Sequence, residues 1–360
     1  PVSENLTKVI DYRGKAPPKA DTGVPLITAR NVRDGYLDFS ADEYIDEGLY
    51  DSWMRRGIPK KNDVLFTTEA PLANLALFPS TGCYALGQRI ITLQTISTKC
   101  DTVFLFHLLR SQTAQRAIDA RSTGTTAKGI KSKVFVRIPL QFPSSPEEQK
   151  KIADFLTSVD ERIGQLIKKK ALLEDYKKGV MQQLFSQQIR FKDDNGNDFP
   201  DWEEKKIGEI TECIAGGTPR TTKKEFWGGE IRWMNSGELN LKMVNEVEGR
   251  ITELGLKSSS TKMIPSFCVL IGLAGQGKTR GTVALNTVGL CTNQSIAAVF
   301  PNASYDSKYL YHNLNYRYQE LRALSTGDGG RGGLNLTIIR SIKIPLPNIS
   351  EQKKIADFLS

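Results

Sequence analysis

The sequence predicts an α+β fold: two copies of one module of mixed strands and short helices, joined by a long coiled-coil helix. Three observations predict it. The nonapeptide EQKKIADFL occupies Glu148–Leu156 and returns at Glu351–Leu359, 203 residues later, so one module is written twice. The stretches before each copy carry short strand-like apolar runs in matching order. Between them, Glu147 to Phe185 holds an apolar residue at every seventh position along one seam.

A chain of 360 residues suits two domains of about 150 residues plus a connector. In the first module, VPLITARNV (Val24–Val32) reads as a strand feeding a loop, and DVLFTT (Asp63–Thr68) and ALGQRIITLQ (Ala85–Gln94) as further strands. FLFHLLRSQTAQRAI (Phe104–Ile118) has helical apolar spacing, STGTTAKG (Ser122–Gly129) is a polar loop, and VFVRIPL (Val134–Leu140) is a strand stopped by proline. The second module repeats the order with IRWMNSGEL (Ile231–Leu239), CVLIGLAGQGKT (Cys268–Thr279), CTNQSIAAVF (Cys291–Phe300), YLYHNL (Tyr309–Leu314), STGDGGRGG (Ser325–Gly333) and IKIPLP (Ile342–Pro347). The order agrees and the loops diverge, which implies one scaffold carrying two surface chemistries.

The central helix follows from its spacing. Steps of four and three from Ile152 reach Leu156, Val159, Ile163, Leu166, Lys170, Leu173, Lys177, Val180 and Leu184, and eight of these ten are apolar. The unbroken seam Ile152, Val159, Leu166, Leu173 and Val180 is the pattern of a left-handed coiled coil, so the helix is expected to need a partner. At about 1.5 Å per residue it would span roughly 55 to 60 Å, long enough to hold two domains apart. The expected divisions are residues 1–145 for the first module, 146–188 for the helix, 189–201 for a linker rich in Asp, Asn and Gly, 202–347 for the second module, and 348–360 for the start of a second helix. That second helix reads as truncated and the first module as clipped, so a longer native chain is expected.

Forty-nine Lys and Arg against 40 Asp and Glu leave a formal charge of +9 and favour a polyanionic partner, nucleic acid first. Five cysteines without CxxC spacing support neither a disulfide framework nor a zinc site. No metal or cofactor is expected. The first ten residues lack a signal pattern and no apolar run approaches a membrane span, so the expected location is cytoplasmic.

Two motifs point elsewhere. Residues Gly272 to Thr279 satisfy GxxxxGK[ST], yet a phosphate loop must open a helix, and RGTVALNTV follows instead, so a strand–turn–strand is expected. Asp201, Glu203 and Lys205 hint at a nuclease signature but sit together in a linker, where a solvated turn is expected. His107 and His312 occupy equivalent places in the repeat, which assigns them to the scaffold.

The stretch IPLQFPSSPEEQKKIADFL, the long helix ending KKGVMQQLFSQQIRFKDDNGNDFPDWEEKKIGEI, the segment GGTPRTTKKEFWGGEIRWMNSGEL and the closing IPLPNISEQKKIADFL resemble the DNA-specificity subunit of type I restriction-modification systems. The resemblance implies that the two modules are target-recognition domains, each reading one half of a split double-stranded DNA sequence. It further implies docking of two methyltransferase (modification) subunits and of restriction subunits, and no catalytic residues in this chain. The alternatives are the specificity part of a fused nuclease-methyltransferase, a P-loop ATPase, or a structural coiled-coil adaptor.

Base edges are read by Arg or Lys on guanine and Asn or Gln on adenine, and phosphates by Lys, Arg, Ser and Thr. In the first module these types fall in loops at Arg13, Lys15, Lys19, Arg30, Asn31, Thr67, Thr68, Gln88, Arg89, Lys128, Lys131 and Lys133. In the second they fall at Thr218, Arg220, Thr221, Lys223, Lys224, Asn235, Ser236, Lys278, Arg280, Asn293, Gln294, Arg331 and Asn335.

Overall fold

The computed structural model describes residues 1–12, 16–40, 42–79, 82–125, 127–275, 279–324 and 333–360. The chain divides into two compact units, Pro1–Lys168 and Lys169–Ser360. Unit 1 holds strands β1 (Leu6–Asp11), β2 (Val24–Ile27), β3 (Tyr44–Ile45), β4 (Val64–Thr67), β5 (Leu75–Leu77), β6 (Ala85–Leu86) and β7 (Ile90–Thr95). Its helices are α1 (Tyr50–Trp53), α2 (Thr102–Arg110), α3 (Gln112–Asp119), α4 (Ser132–Phe135) and the first part of α5 (Pro146–Phe185). Unit 2 takes the rest of α5 and continues with β8 (Glu203–Lys206), α6 (Ile207–Ile210), β9 (Cys213–Ala215), β10 (Trp227–Met234), β11 (Met243–Val244), β12 (Arg250–Ile251), α7 (Glu253–Lys257) and β13 (Met263–Ile264). It closes with β14 (Val269–Gly272), β15 (Val283–Asn286), β16 (Leu290–Thr292), β17 (Ile296–Val299), α8 (Ser307–Tyr316), α9 (Tyr318–Ala323), α10 (Leu336–Ser341), β18 (Lys343–Leu346) and α11 (Ile349–Leu359).

The duplication is visible in the strand order. The main sheet runs β1-β7-β4-β5 in unit 1 and β9-β17-β14-β15-β11 in unit 2, and the short parallel pair β2/β6 recurs as β10/β16. Alternation along each strand divides the core into two layers. Val64 and Phe66 face a cluster with Leu105, Leu109 and Phe135 on the helices, while Leu65 faces Leu26, Ile27, Leu86 and Ile90. In unit 2, Val269 and Ile271 face the helix side and Leu270 faces Met234 and Leu290.

The repeated nonapeptide explains itself in these contacts. Gln149 is fully buried; its Oε1 accepts from the Asp101 amide (2.9 Å) and its Nε2 donates to the carbonyls of Pro143 (2.8 Å) and Lys99 (3.0 Å). Gln352 makes the matching bonds to Asp306 (2.9 Å) and Pro347 (2.8 Å). Each glutamine ties the start of its helix to the loop before α2 or α8. His107 lies 3.0 Å from Thr157 Oγ1 and His312 lies 3.5 Å from Ser360 Oγ, so both histidines serve the scaffold, as the repeat predicts. Burial depresses both below the ordinary histidine range, His312 to about 4.

Helix α5 starts at Pro146, whose missing N–H costs nothing at that position, with Glu147 and Glu148 complementing the positive helix end. It ends where Gln187 adopts φ +59° and the Gln188 amide donates to the Gln183 carbonyl, 2.9 Å. Its apolar seam does not act as one strip. Ile152 and Leu156 are partly buried in unit 1, and Val180, Leu184 and the neighbouring Met181 are buried in the core of unit 2. Val159, Ile163, Leu166 and Leu173 between them are exposed.

The segment expected as a strand at Val134–Leu140 opens within α4 instead, and in unit 1 no strand is assigned to residues 137–140. Ser3 and Val2 donate to the carbonyls of Val136 (2.8 Å) and Ile138 (3.1 Å), whereas in unit 2 the matching Lys343–Leu346 gains a full ladder with β8. The phosphate-loop look-alike lies between the antiparallel strands β14 and β15, closed by a bond from the Gly281 amide to the Gly272 carbonyl (2.8 Å), and Thr279 and Arg280 lead into β15 without a helix. Gly277 and Lys278 of that motif lie outside the described residues. Glu203 and Lys205 of the nuclease look-alike pair with each other at 2.8 Å on an exposed strand.

Candidate nucleic-acid interface

Three backbone bonds build the same corner in each unit and fix which residues correspond. The Gly87 amide donates to the Ile27 carbonyl (2.7 Å), and the Asn293 amide to the Met234 carbonyl (3.0 Å). The Thr68 amide donates to the Arg89 carbonyl, as does the Leu273 amide to the Ser295 carbonyl, both at 2.8 Å. The Ile130 amide reaches the Thr68 carbonyl, and the Leu334 amide the Leu273 carbonyl, both at 2.9 Å. Gln88 therefore corresponds to Gln294, Arg89 to Ser295, Glu69 to Ala274 and Lys131 to Asn335. The sequence comparison aligned the segments, and the register comes from the sheet.

In unit 1 the turn from Gln88 to Arg89 forms the shared wall of two clefts. One, of about 530 Å³, is lined by Thr68, Glu69, Gln88, Arg89 and Lys131 among others. The other, of about 230 Å³, adds Lys19 and Arg30. Six of the expected residues thus converge, on elements separated by more than 100 residues in the chain. Lys19 and Arg30 share Glu43 at 2.8 and 3.7 Å. Arg89 adopts a left-handed φ of +67°, and its Nε lies 2.7 Å from Glu69 Oε1. Glu69 escaped the sequence reading because that reading sought cations and amides, and a lone glutamate after a strand carries no pattern.

Other expected residues are placed differently. Thr67 and Thr68 are buried, their hydroxyls donating to the carbonyls of Asn74 (3.4 Å) and Arg89 (3.2 Å), so they shape the corner from inside. Asn31 is also buried; its Oδ1 accepts from the Thr28 amide and its Nδ2 donates to the Asp38 carbonyl. Lys128 pairs with Asp119 at 2.5 Å and Lys133 is exposed on α4. Arg13 and Lys15 lie outside the described residues.

In unit 2, Gln294 accepts from Thr218 Oγ1 at 2.5 Å, joining the turn after β16 to the loop after β9. That loop passes too close to its neighbours for any side chain: a Cβ on Gly216 would lie 2.1 Å from the Thr292 carbonyl oxygen, and one on Gly217 2.3 Å from Ser260 Oγ. Two indoles pin the loop, Trp233 Nε1 donating to the Gly217 carbonyl (3.0 Å) and Trp227 Nε1 to that of Arg220 (3.2 Å), with their rings edge to face at 5.0 Å. Arg220, Thr221, Lys223 and Lys224 follow, all exposed. Asn293 and Arg280 are half-buried. Asn235 and Asn335 cap helical turns through Oδ1, accepting from Gly237 and Ile338, and Ser236 begins the turn that Asn235 caps. Lys278 and Arg331 lie outside the described residues. Among the described residues no three His, Cys, Asp or Glu side chains converge on a possible metal position, and no helix is long and apolar enough to cross a membrane.

The family model of the type I restriction modification DNA specificity domain matches residues 54–174 and 200–360. The specificity subunit of the type I restriction enzyme EcoR124I/EcoR124II of Escherichia coli is 30% identical over 227 residues, 62% of this chain and 54% of that one, so this chain spans about half the length of that relative. The MjaVIII specificity subunit of Methanocaldococcus jannaschii is 23% identical over 352 residues, 93% of this chain and 81% of that one. The fold is shared with the crystal structure of a type I restriction-modification S subunit from M. genitalium: TM-score 0.62 at 16% identity, over 99% of this chain and 87% of that one. With a family segment in each half and more than half of its length matched, this chain belongs to the type I restriction modification DNA specificity family.

Proposed function

We propose that the chain is the non-catalytic, sequence-reading subunit of a type I restriction-modification complex, that unit 1 and unit 2 each read one half of a split DNA site, and that the complex works in the cytoplasm. The observation that carries this reading is the repeated corner: one backbone framework in both units, dressed with Lys19, Arg30, Gln88, Arg89 and Lys131 in unit 1 and with Thr218, Arg220, Lys223, Lys224 and Gln294 in unit 2. Amides and guanidinium groups suit base edges, and lysines and hydroxyls suit phosphates. A common framework with different side chains gives two half-sites of different sequence at a spacing set by the protein. Two methyltransferase subunits are the expected partners that modify the DNA, with restriction subunits completing the enzyme. The exposed midsection of α5, with Ile163, Leu166 and Leu173, supports a role in holding another helix or subunit.

Sequencing the methylated bases of genomic DNA with and without the gene tests this reading. A split motif should vanish on deletion, and substitutions in unit 2 should alter one half of it only. A unit 2 substitution that changes both halves refutes the division of labour.

A further inference from the structure

The geometry points to Arg89 as a guanine reader held in position by Glu69, a specificity device that the matching corner of unit 2 does not repeat, since Ser295 and Ala274 stand at those places. This inference rests on the proposed reading of DNA and names the base one half-site must contain. Arginine on a flexible stem is a poor reader until its plane is fixed, because the two parallel N–H groups that match guanine O6 and N7 must point the same way. Here the inner nitrogen, Nε, lies 2.7 Å from Glu69 Oε1, and an anchor at Nε leaves the paired outer nitrogens as the fork.

Both residues are themselves held. The Arg89 carbonyl accepts from the amide and the hydroxyl of Thr68, and the next residue after Thr68 is Glu69, which bridges to Gly129. A Cβ on Gly129 would come within 3.2 Å of Glu69 Cβ, so glycine lets the two segments close there. Arg89 keeps a left-handed backbone at φ +67°, a region that favours glycine or asparagine, although neither could supply a guanidinium. Both side chains remain about half exposed, 57% for Arg89 and 47% for Glu69, on the wall between the two clefts. A carboxylate among phosphate-seeking cations would weaken a purely electrostatic surface, and orienting the fork gives it a purpose. Ser295 and Ala274 stand at the matching places in unit 2, so the fork is not repeated at that corner.

The test uses the full chain expressed with its methyltransferase subunits, reading methylated motifs in the genomic DNA of the host for wild type, R89K, E69A and E69Q. The wild-type motif should contain a G·C pair in one half at a position that responds to Arg89. R89K keeps the charge and loses the fork, so preference at that one position should fall by about 10- to 100-fold while the other half stays unchanged. E69A should relax the same position by a smaller factor, and E69Q, which keeps an oxygen beside Nε, should retain the preference. A uniform drop in methylation with an unchanged motif, for R89K or E69A, overturns the assignment and makes Arg89 a backbone contact. An E69A chain that fails to accumulate leaves R89K and E69Q to decide, since both preserve size. If no split motif depends on the gene, the proposed function itself fails; a gene-dependent motif indifferent to Arg89 and Glu69 defeats only this inference.

Discussion

Glu148 and Glu351 are the same residue of the same repeat, and the structure gives them opposite fates. Glu351 is fully buried and accepts from Arg190 Nε (3.1 Å), Arg190 Nη2 (2.9 Å) and Trp202 Nε1 (3.1 Å); Glu148 is exposed. The ion pair raises the Arg190 pKa above its already high ordinary value. Glu351→Ala leaves an indole N–H and two guanidinium N–H groups without their acceptor. Breaking a buried ion pair costs about 3–5 kcal/mol, and Arg190 keeps 23% of its side chain in water, so the lower end, about 3 kcal/mol, applies. For a unit of this size that lowers the melting temperature by about 6–12 °C. Glu148→Ala should change stability by less than about 0.5 kcal/mol. Scanning calorimetry of the full chain measures both variants side by side. Equal shifts, or an Glu351→Ala shift under about 2 °C, would refute the view that Arg190 and Trp202 clamp the second helix start.

Three more outcomes are expected. Leu184→Ala should destabilise unit 2 by about 3 kcal/mol because Leu184 is 2% exposed in its core, whereas Leu166→Ala, at 49% exposure, should leave the isolated chain unchanged in the same calorimetric scan. His312 has a folded-state pKa of about 4 against the ordinary 6.5, so the unfolded chain takes up the proton first. Its contribution is complete above pH 6.5 and is lost as the pH falls towards 4, by about 3 kcal/mol in all, and urea titrations should show His312→Gln removing that part of the acid sensitivity. Lys223 is exposed and lies 3.4 Å from Glu225; if it meets a phosphate as proposed, Lys223→Ala should weaken binding of the complex to all DNA sequences alike and reduce the salt slope by about 1, measured by binding at several salt concentrations.

The repeat, the order of elements, the long helix and the scaffold role of both histidines are legible in the sequence because each rests on local spacing or on identity between copies. EQKKIADFL even marks its own mechanism, since Gln149 and Gln352 make matching bonds in both units. The sequence also singles out loops that come together in the fold, those of Lys19, Arg30, Gln88, Arg89 and Lys131. What it does not contain is the use of each side chain. Asn31, Asn235 and Asn335 have the chemistry of adenine readers, yet their amides cap backbone turns. Glu69 meets Arg89 only because the β4–β7 pairing brings the two turns together, and Glu351 is buried only because Arg190 and Trp202 arrive from outside the repeat. Spacing along the chain therefore determines which elements form and which loops face outward. Tertiary pairing decides which polar groups meet, and so which stay available for a ligand, because that depends on residues far apart in sequence.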